Sequence, residues 1–230
     1  NFPIAEKFVS VQGEGVYTGV VMAFIRLVGC SVGWKVCTHC DTDFDKTYEA
    51  LGGGMFTVEQ LVDWVKQSRV NHVCISGGEP LDRDIRPLLL ALTTDTVTCH
   101  IETSGTKKPR WLDAALPPLG FHEISVETDG VSTTQVLPLW VTVSPKPGYL
   151  EPMLALADEI KVIVGGLGDG PGWPGVAEAT WWAESYKTPV YLQPRNDKLT
   201  ICRENLDETM RLAVANPLLR VSTQLHKWMN

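Results

Sequence analysis

Val20-Val-Met-Ala-Phe-Ile-Arg-Leu-Val28, followed at once by Gly29-Cys30-Ser-Val-Gly-Trp-Lys-Val-Cys37-Thr-His-Cys40-Asp41-Thr42, is the stretch from which the rest of the chain can be read. The first part is an apolar run of β type. The second is a glycine-bounded loop (29–42) holding three of the six cysteines. Three thiolates leave a metal centre one ligand short. Structural zinc sites fill all four positions, whereas a catalytic zinc or iron–sulfur centre keeps one for substrate or cofactor. The loop therefore points to an enzyme site. Taken by itself, the trio also allows a zinc site completed by His39 or His72, in a non-catalytic interaction module.

Outward from this stretch, β-type and helical runs alternate, as in parallel α/β architectures. Short Val- and Ile-rich runs predict strands over Val20–Leu27, His72–Ser76, Thr96–Glu102, Leu139–Ser144, Glu159–Val164, Pro189–Gln193 and Leu219–Thr223. Thr57-Val-Glu-Gln60 is a capping-box signature ahead of Leu61, Val62, Trp64 and Val65, which share one helical face. Helices are also predicted over Ile85–Leu92, Trp173–Tyr186 and Asn205–Ala215, with glycine-rich loops at 52–54 and 165–175.

A chain of 230 residues suffices for one domain spanning 1–230. A net charge of −7 argues against a general nucleic-acid or polyphosphate binder, so an anionic ligand must be held by a few local cations. No stretch has the length or flanks of a signal peptide or membrane span, and the scattered cysteines read as reduced thiols. The expectation is a cytoplasmic protein with no membrane or nucleic-acid partner. The start at Asn1 rather than Met implies that a residue or tag preceded it.

Polar motifs sit at the C-terminal ends of the predicted strands. Ser76-Gly77-Gly78-Glu79-Pro80, Glu102-Thr-Ser-Gly105, Ser144-Pro-Lys146, Gln193-Pro-Arg195 and Thr223-Gln-Leu-His226-Lys227 each end or follow one. In a parallel barrel those ends share one rim, where barrel enzymes build their active sites, and the cysteine loop reaches the same face.

A cysteine cluster after the first such strand with Gly-Gly-Glu-Pro after the second resembles the radical S-adenosylmethionine (SAM) superfamily. With Ser10-Val-Gln12-Gly13-Glu14-Gly15, Phe24-Ile-Arg26-Leu-Val-Gly-Cys30, Cys40-Asp41-Thr42, Val143-Ser-Pro-Lys146 and Gln224-Leu-His226-Lys227, the chain from residue 8 to 227 resembles the 7-carboxy-7-deazaguanine synthases. The resemblance implies an incomplete, TIM-type (β/α) barrel of the radical SAM class. It implies that Cys30, Cys37 and Cys40 hold a 4Fe-4S cluster whose fourth iron chelates SAM, and that Gly77, Gly78, Glu79, Glu102, Ser144, Lys146 and Gln193, with His39 and Asp41 of the loop, contact the cofactor. Gln12, Gly13, Glu14, Arg26, Ser76, His226 and Lys227 would receive 6-carboxy-5,6,7,8-tetrahydropterin, Arg26 clamping its carboxylate and Glu14 meeting its guanine-like edge. Thr42 would supply an oxygen to Mg²⁺. The implied reaction is hydrogen abstraction at C6, ring contraction, regeneration of SAM and loss of ammonia. The implied partners are a flavodoxin-like or other electron donor and a second copy of the chain in a homodimer.

The sequence also departs from the superfamily pattern. Six residues separate Cys30 from Cys37 where three are usual, and the chain ends at Asn230, short of a tail that would close the pocket. Competing expectations are a glycyl-radical-activating enzyme, which leaves Gln12, Glu14 and Arg26 without a task, and a structural ion pair for Arg26 with Asp or Glu. Cys74, Cys99 and Cys202 are expected to be small buried hydrophobes. The tryptophans, including Trp173, Trp181 and Trp182, carry no assigned role.

Overall fold

The Val- and Ile-rich runs become strands because each has a second face to bury. The computed structural model describes residues 1–38, 40–45, 47–93, 96–116, 119–165, 170–197 and 200–228. In chain order it contains β1 (Phe2–Val11), β2 (Val21–Leu27), β3 (Gly54–Phe56), α1 (Val58–Ser68), β4 (His72–Gly77), α2 (Arg86–Leu92), β5 (Thr98–Thr103) and β6 (Leu112–Leu116). There follow β7 (Phe121–Thr128), β8 (Val131–Val143), α3 (Glu151–Leu154), β9 (Glu159–Val164), α4 (Val176–Tyr186), β10 (Val190–Pro194), α5 (Arg203–Ala215) and β11 (Arg220–Val221).

The sheet order is β11-β10-β9-β8-β5-β4-β2-β1-β3. The seven strands expected from the sequence are the seven that run parallel, from β2 to β11. Along them, alternate residues face opposite ways. Ile25, Ile75, Ile101, Val141, Val162 and Leu192 form one continuous apolar core with Leu61 and Val65 of α1, Leu88 and Leu89 of α2, and Trp182 of α4. The other set, including Arg26, Ser76, Glu102, Lys161 and Gln193, faces the concave side and lines a cavity there.

Among the described residues the sheet does not close by strand pairing: β3 and β11 are its edges. The turn after β1 spans the opening instead. Leu225 N donates to Gly13 O (3.0 Å), Gly15 N to Ser222 Oγ (3.1 Å) and Val16 N to Glu159 Oε2 (2.7 Å). The fold is thus an incomplete (β/α) barrel whose gap is stitched by residues 12–16.

Several features differ from the sequence expectation. β1 and β3 extend the sheet antiparallel beyond β2, and β6 and β7 pair antiparallel against an extended β8. The helix predicted over Trp173–Tyr186 starts at Val176 rather than Trp173, because Gly175 N is capped by the Glu178 carboxylate (3.1 Å). His72 begins β4, at the end of a strand ~17 Å long away from the cysteine loop, and pairs there with His100 (2.9 Å). It therefore cannot complete a metal site with the cysteines. Cys74 and Cys99 are buried as expected, but Cys202 is only half-buried, at the N-cap of α5. The Thr57–Gln60 capping box is formed in both directions. No described helix is long and apolar enough to cross a membrane.

Candidate active site

The loops after β1, β2, β4, β5 and β8, the segment after β11, and residues of β9 and β10 converge on a cavity of about 390 Å³. That is the size range of small-molecule sites. Cys30, Cys37 and Cys40 line one side, together with Thr42, which is buried. Burial raises all three thiols, Cys37 to about 11; Cys40 and Cys30 raise Cys37 further, and Asp41 and Cys30 raise Cys40. Iron binding must therefore displace protons from them. All six cysteines are unpaired.

Three contacts hold the first half of the long cysteine loop. Ser31 donates through N and Oγ to the two oxygens of Asp82 (2.7 Å each). Trp34, in the enlarged segment, stacks on Phe44 (4.6 Å between ring centroids) and donates Nε1 to Asp45 (2.9 Å). The Gly77-Gly78 turn lies directly against the loop's start: a Cβ on Gly78 would stand 1.6 Å from Gly29 O. Glycine at 78 therefore serves first to let two backbone segments touch.

Glu79, almost fully buried, accepts from Leu81 N (3.1 Å) and Thr103 Oγ1 (2.6 Å) on one oxygen and from Ser104 N (2.8 Å) and Ser104 Oγ on the other. Four donors fill a carboxylate's acceptor sites. The glutamate thus locks the β4 and β5 loops together, and a contact to the SAM ammonium would require one of these donors to yield. Lys146 bonds Ser144 through its carbonyl (2.8 Å) and hydroxyl (2.7 Å) and lies 5.7 Å from the Trp173 ring. Burial lowers its pKa against the opposing pull of Cys37.

The opposite side is a lattice of charge. Glu14 Oε2 accepts from Lys161 Nζ (2.5 Å), and its Oε1 accepts from Gln193 Nε2 (3.1 Å) and Gln224 Nε2 (2.8 Å). Burial would raise Glu14, but Lys161, the Gln224 amide and His226 outweigh it and hold the carboxyl at about 2. Burial would likewise lower Lys161, yet Glu102, Glu14 and Glu159 leave it raised. Glu102 also accepts from Gln12 Nε2 (3.0 Å). Gln224 reaches Asp41 as well (3.2 Å).

The sequence-predicted residues fall into three groups. Gln12, Gly13, Glu14, Arg26, Ser76, Gly77, Gly78, Glu79, Glu102, Ser144, Lys146, Gln193 and His226 all line the cavity with the cysteines, Asp41 and Thr42. Gly13 is also pressed against the C-terminal turn, where a Cβ would stand 2.7 Å from His226 Nδ1. Lys227 is buried outside the lining and holds Asp41 (3.1 Å) and Asp197 O (2.6 Å), so it braces the cysteine loop instead of facing a ligand. Arg26 does line the cavity, but its Nη1 is paired with Glu6 (2.6 Å), the ion pair weighed against the clamp. His39 lies outside the described residues, as does part of the 165–175 loop. Lys161 and the Gln224 bridge were not anticipated. Lys161 carries the same signal as Arg26, a cation within an apolar strand.

Two observations fit the implied cofactors. Gln193 Oε1 is a buried acceptor without a partner in the cavity wall, suited to a ligand's donor. The three thiols share one wall, yet no three His, Cys, Asp or Glu side chains among the described residues group closely enough to hold a single ion. A cubane instead takes its thiolates on separate corners.

Comparison with known proteins agrees with this geometry. Residues 24–146 match the Radical SAM superfamily model. The 7-carboxy-7-deazaguanine synthase of Synechocystis sp. is 33% identical over 83% of this chain and 84% of its own length. That of Escherichia coli K12 is 31% identical over the whole chain and 99% of its own length. The crystal structure of QueE from Escherichia coli superposes with a TM-score of 0.68, at 28% identity, covering 98% of this chain and 94% of that one. The chain belongs to the radical SAM superfamily and, within it, to the 7-carboxy-7-deazaguanine synthases.

Proposed function

We propose that this enzyme converts 6-carboxy-5,6,7,8-tetrahydropterin to 7-carboxy-7-deazaguanine with loss of ammonia, a step toward 7-deazapurines such as queuosine. The observation that carries the assignment is one cavity lined together by Cys30, Cys37 and Cys40 and by Gln12, Glu14 and Arg26. When bound on those thiolates, the 4Fe-4S cluster and SAM supply the one-electron chemistry.

The chain's own groups do the rest. Glu14, held ionised, accepts from the heterocycle's amidine-like N–H edge, and Gln12, whose Oε1 already takes Glu14 N (3.2 Å), fixes the turn. Arg26 offers its guanidinium to the substrate carboxylate by exchange with Glu6. Gln193 Oε1, Lys146, Ser144, Glu102 and Gly78 line the half of the cavity that receives SAM, with Asp41 bracing the loop. Phe8, Phe24, Phe44 and Ile163 give the cavity apolar walls, which exclude water from reactive chemistry. Thr42 is the protein oxygen for Mg²⁺, which keeps waters and substrate oxygens as its other ligands. We assign the whole chain, 1–230, to this one domain, and expect a flavodoxin-like or other external electron donor, a homodimer and, with six unpaired thiols, a cytoplasmic setting.

The test is anaerobic. After cluster reconstitution, the enzyme is given SAM, dithionite, Mg²⁺ and the pterin, and product is followed by mass spectrometry and ultraviolet absorbance. 7-Carboxy-7-deazaguanine is the expected product, and turnover should fall on chelation of Mg²⁺. SAM cleavage with the pterin untouched would refute the substrate, and indifference to chelation would remove Thr42 from metal binding.

A further inference from the structure

Lys161 has no task in the reaction just described, although it is the most deeply enclosed cation at the cavity. It projects from β9, is 3% exposed, and stands between Glu14 (2.5 Å) and Glu102 (3.4 Å). We propose that Lys161 is the positioning residue for Glu14: it fixes that carboxylate from below as a charged acceptor and thereby sets recognition of the pterin's two-N–H edge. The inference rests on Glu14 receiving that edge.

Acceptor sites decide which donor stays. A carboxylate offers about four, and three on Glu14 are occupied, one by Lys161 and two by the amides of Gln193 and Gln224. A ligand bringing two parallel N–H donors needs two sites, so one present donor must yield. An amide yields more readily than an ammonium, since charge-assisted bonds are roughly twice as strong as neutral ones. Lys161 therefore stays and the amides exchange. Gln224 is the freer of the two, because it retains Asp41 as a second acceptor (3.2 Å).

Lys161 also decides the charge of Glu14. The titratable and charged groups around that carboxylate are Lys161 and Glu159 of β9, Glu102 of β5, His226 of the C-terminal turn and, through Gln224, Asp41 of the cysteine loop. With Lys161 gone, three carboxylates share a buried pocket and Glu14 takes up a proton at a much higher pH. A protonated carboxyl cannot accept two N–H groups in parallel.

The experiment measures equilibrium binding of 6-carboxy-5,6,7,8-tetrahydropterin, with SAM binding as control, to anaerobic holoenzyme between pH 6 and 8.5. Lys161→Met should weaken pterin binding by roughly 10- to 100-fold at pH 6, recovering as pH rises, with a much smaller change in SAM affinity through Glu102. Lys161→Arg should stay near wild type and flat with pH. Should Lys161→Met fail to fold, the neutral Lys161→Gln carries the same test. All other charges facing Glu14 are common to the variants, so the pH slope isolates Lys161. A pH-independent loss, or equal loss of pterin and SAM, would overturn the proposal and make Lys161 structural. If Glu14→Gln itself binds the pterin as wild type does, it is the assignment of Glu14 that falls.

Discussion

Where the cysteine loop leaves β2, the chain is joined to itself through backbone: Glu79 N donates to Gly29 O (3.0 Å), Gly78 N to Leu27 O (2.9 Å), and no side chain fits where Gly78 meets Gly29. Across the cavity, around Glu14, the joining is by charge: one ammonium and two amides meet one carboxylate. The thiols, whose pKa values burial raises, await ligands, whereas Glu14 is satisfied before any ligand arrives. The first side is a frame set by backbone for a large cofactor, in which only a donor on Glu79 must yield. The second must exchange partners to bind its ligand, so recognition there is a competition among donors.

If that contrast holds, the largest effect belongs to the backbone contact. In Gly78→Ala the new methyl would stand 1.6 Å from a main-chain carbonyl that cannot swing aside. The cost should exceed the ~1–3 kcal/mol of ordinary overpacking. We expect a Tm lowered by several degrees and an iron content well below that of wild type after reconstitution. Normal iron loading would show that the loop tolerates displacement.

On the charged side the effect is smaller and depends on pH. Glu14→Gln should weaken pterin binding by roughly tenfold or more, with SAM affinity retained. Stability carries a second signature. The folded pKa of about 2 lies below the ordinary 4.5, so the charged form stabilises the fold. That contribution is complete above about 4.5 and is lost as pH falls toward 2. Melting temperatures of wild type and Glu14→Gln should therefore differ most at neutral pH and converge on acidification. A gap that persists unchanged to pH 3 would place the stabilisation elsewhere.

The same contrast governs what the sequence could reveal. The parallel strands were legible because both their faces are covered over much of their length, which writes them as Val- and Ile-rich runs. β1 was not, since Pro3, Glu6 and Lys7 interrupt its pattern at the rim of the sheet. β8 beyond the core exposes Ser132, Thr133, Thr134 and Gln135 and has no apolar face to announce it. Yet the hairpin it forms with β7 did leave a mark: Asp129-Gly130 joins the paired Thr128 and Val131, both turn residues at positive φ (52° and 77°), as a two-residue hairpin turn demands. In the site, the motif residues were legible as types at strand ends. Their partners were not. Lys161 lies 147 positions from Glu14, and Gln224 lies 210 from it, so the pairing exists only once the turn after β1 spans the gap in the barrel.

Arg26 stands between the two regimes, and the smallest predicted effect is the sharpest test of where it belongs. Its guanidinium lines the cavity and lies 5.1 Å from the Phe8 ring, yet its Nη1 is taken by Glu6 on the neighbouring strand. The pair is partly exposed, with side-chain exposures of 25% and 18%, so its net worth is small, about 0–1 kcal/mol. A substrate carboxylate would compete with Glu6 for the same group. Glu6→Gln removes the competitor and leaves Arg26 charged. If Arg26 works by exchange, as the Glu14 side does, carboxylated pterin should bind Glu6→Gln about two- to fivefold more tightly. A pterin lacking the carboxylate should bind it as it binds wild type. No gain for the carboxylated ligand, with a lowered Tm, would mean that Arg26 and Glu6 serve only to join β1 to β2 and that another cation meets the carboxylate.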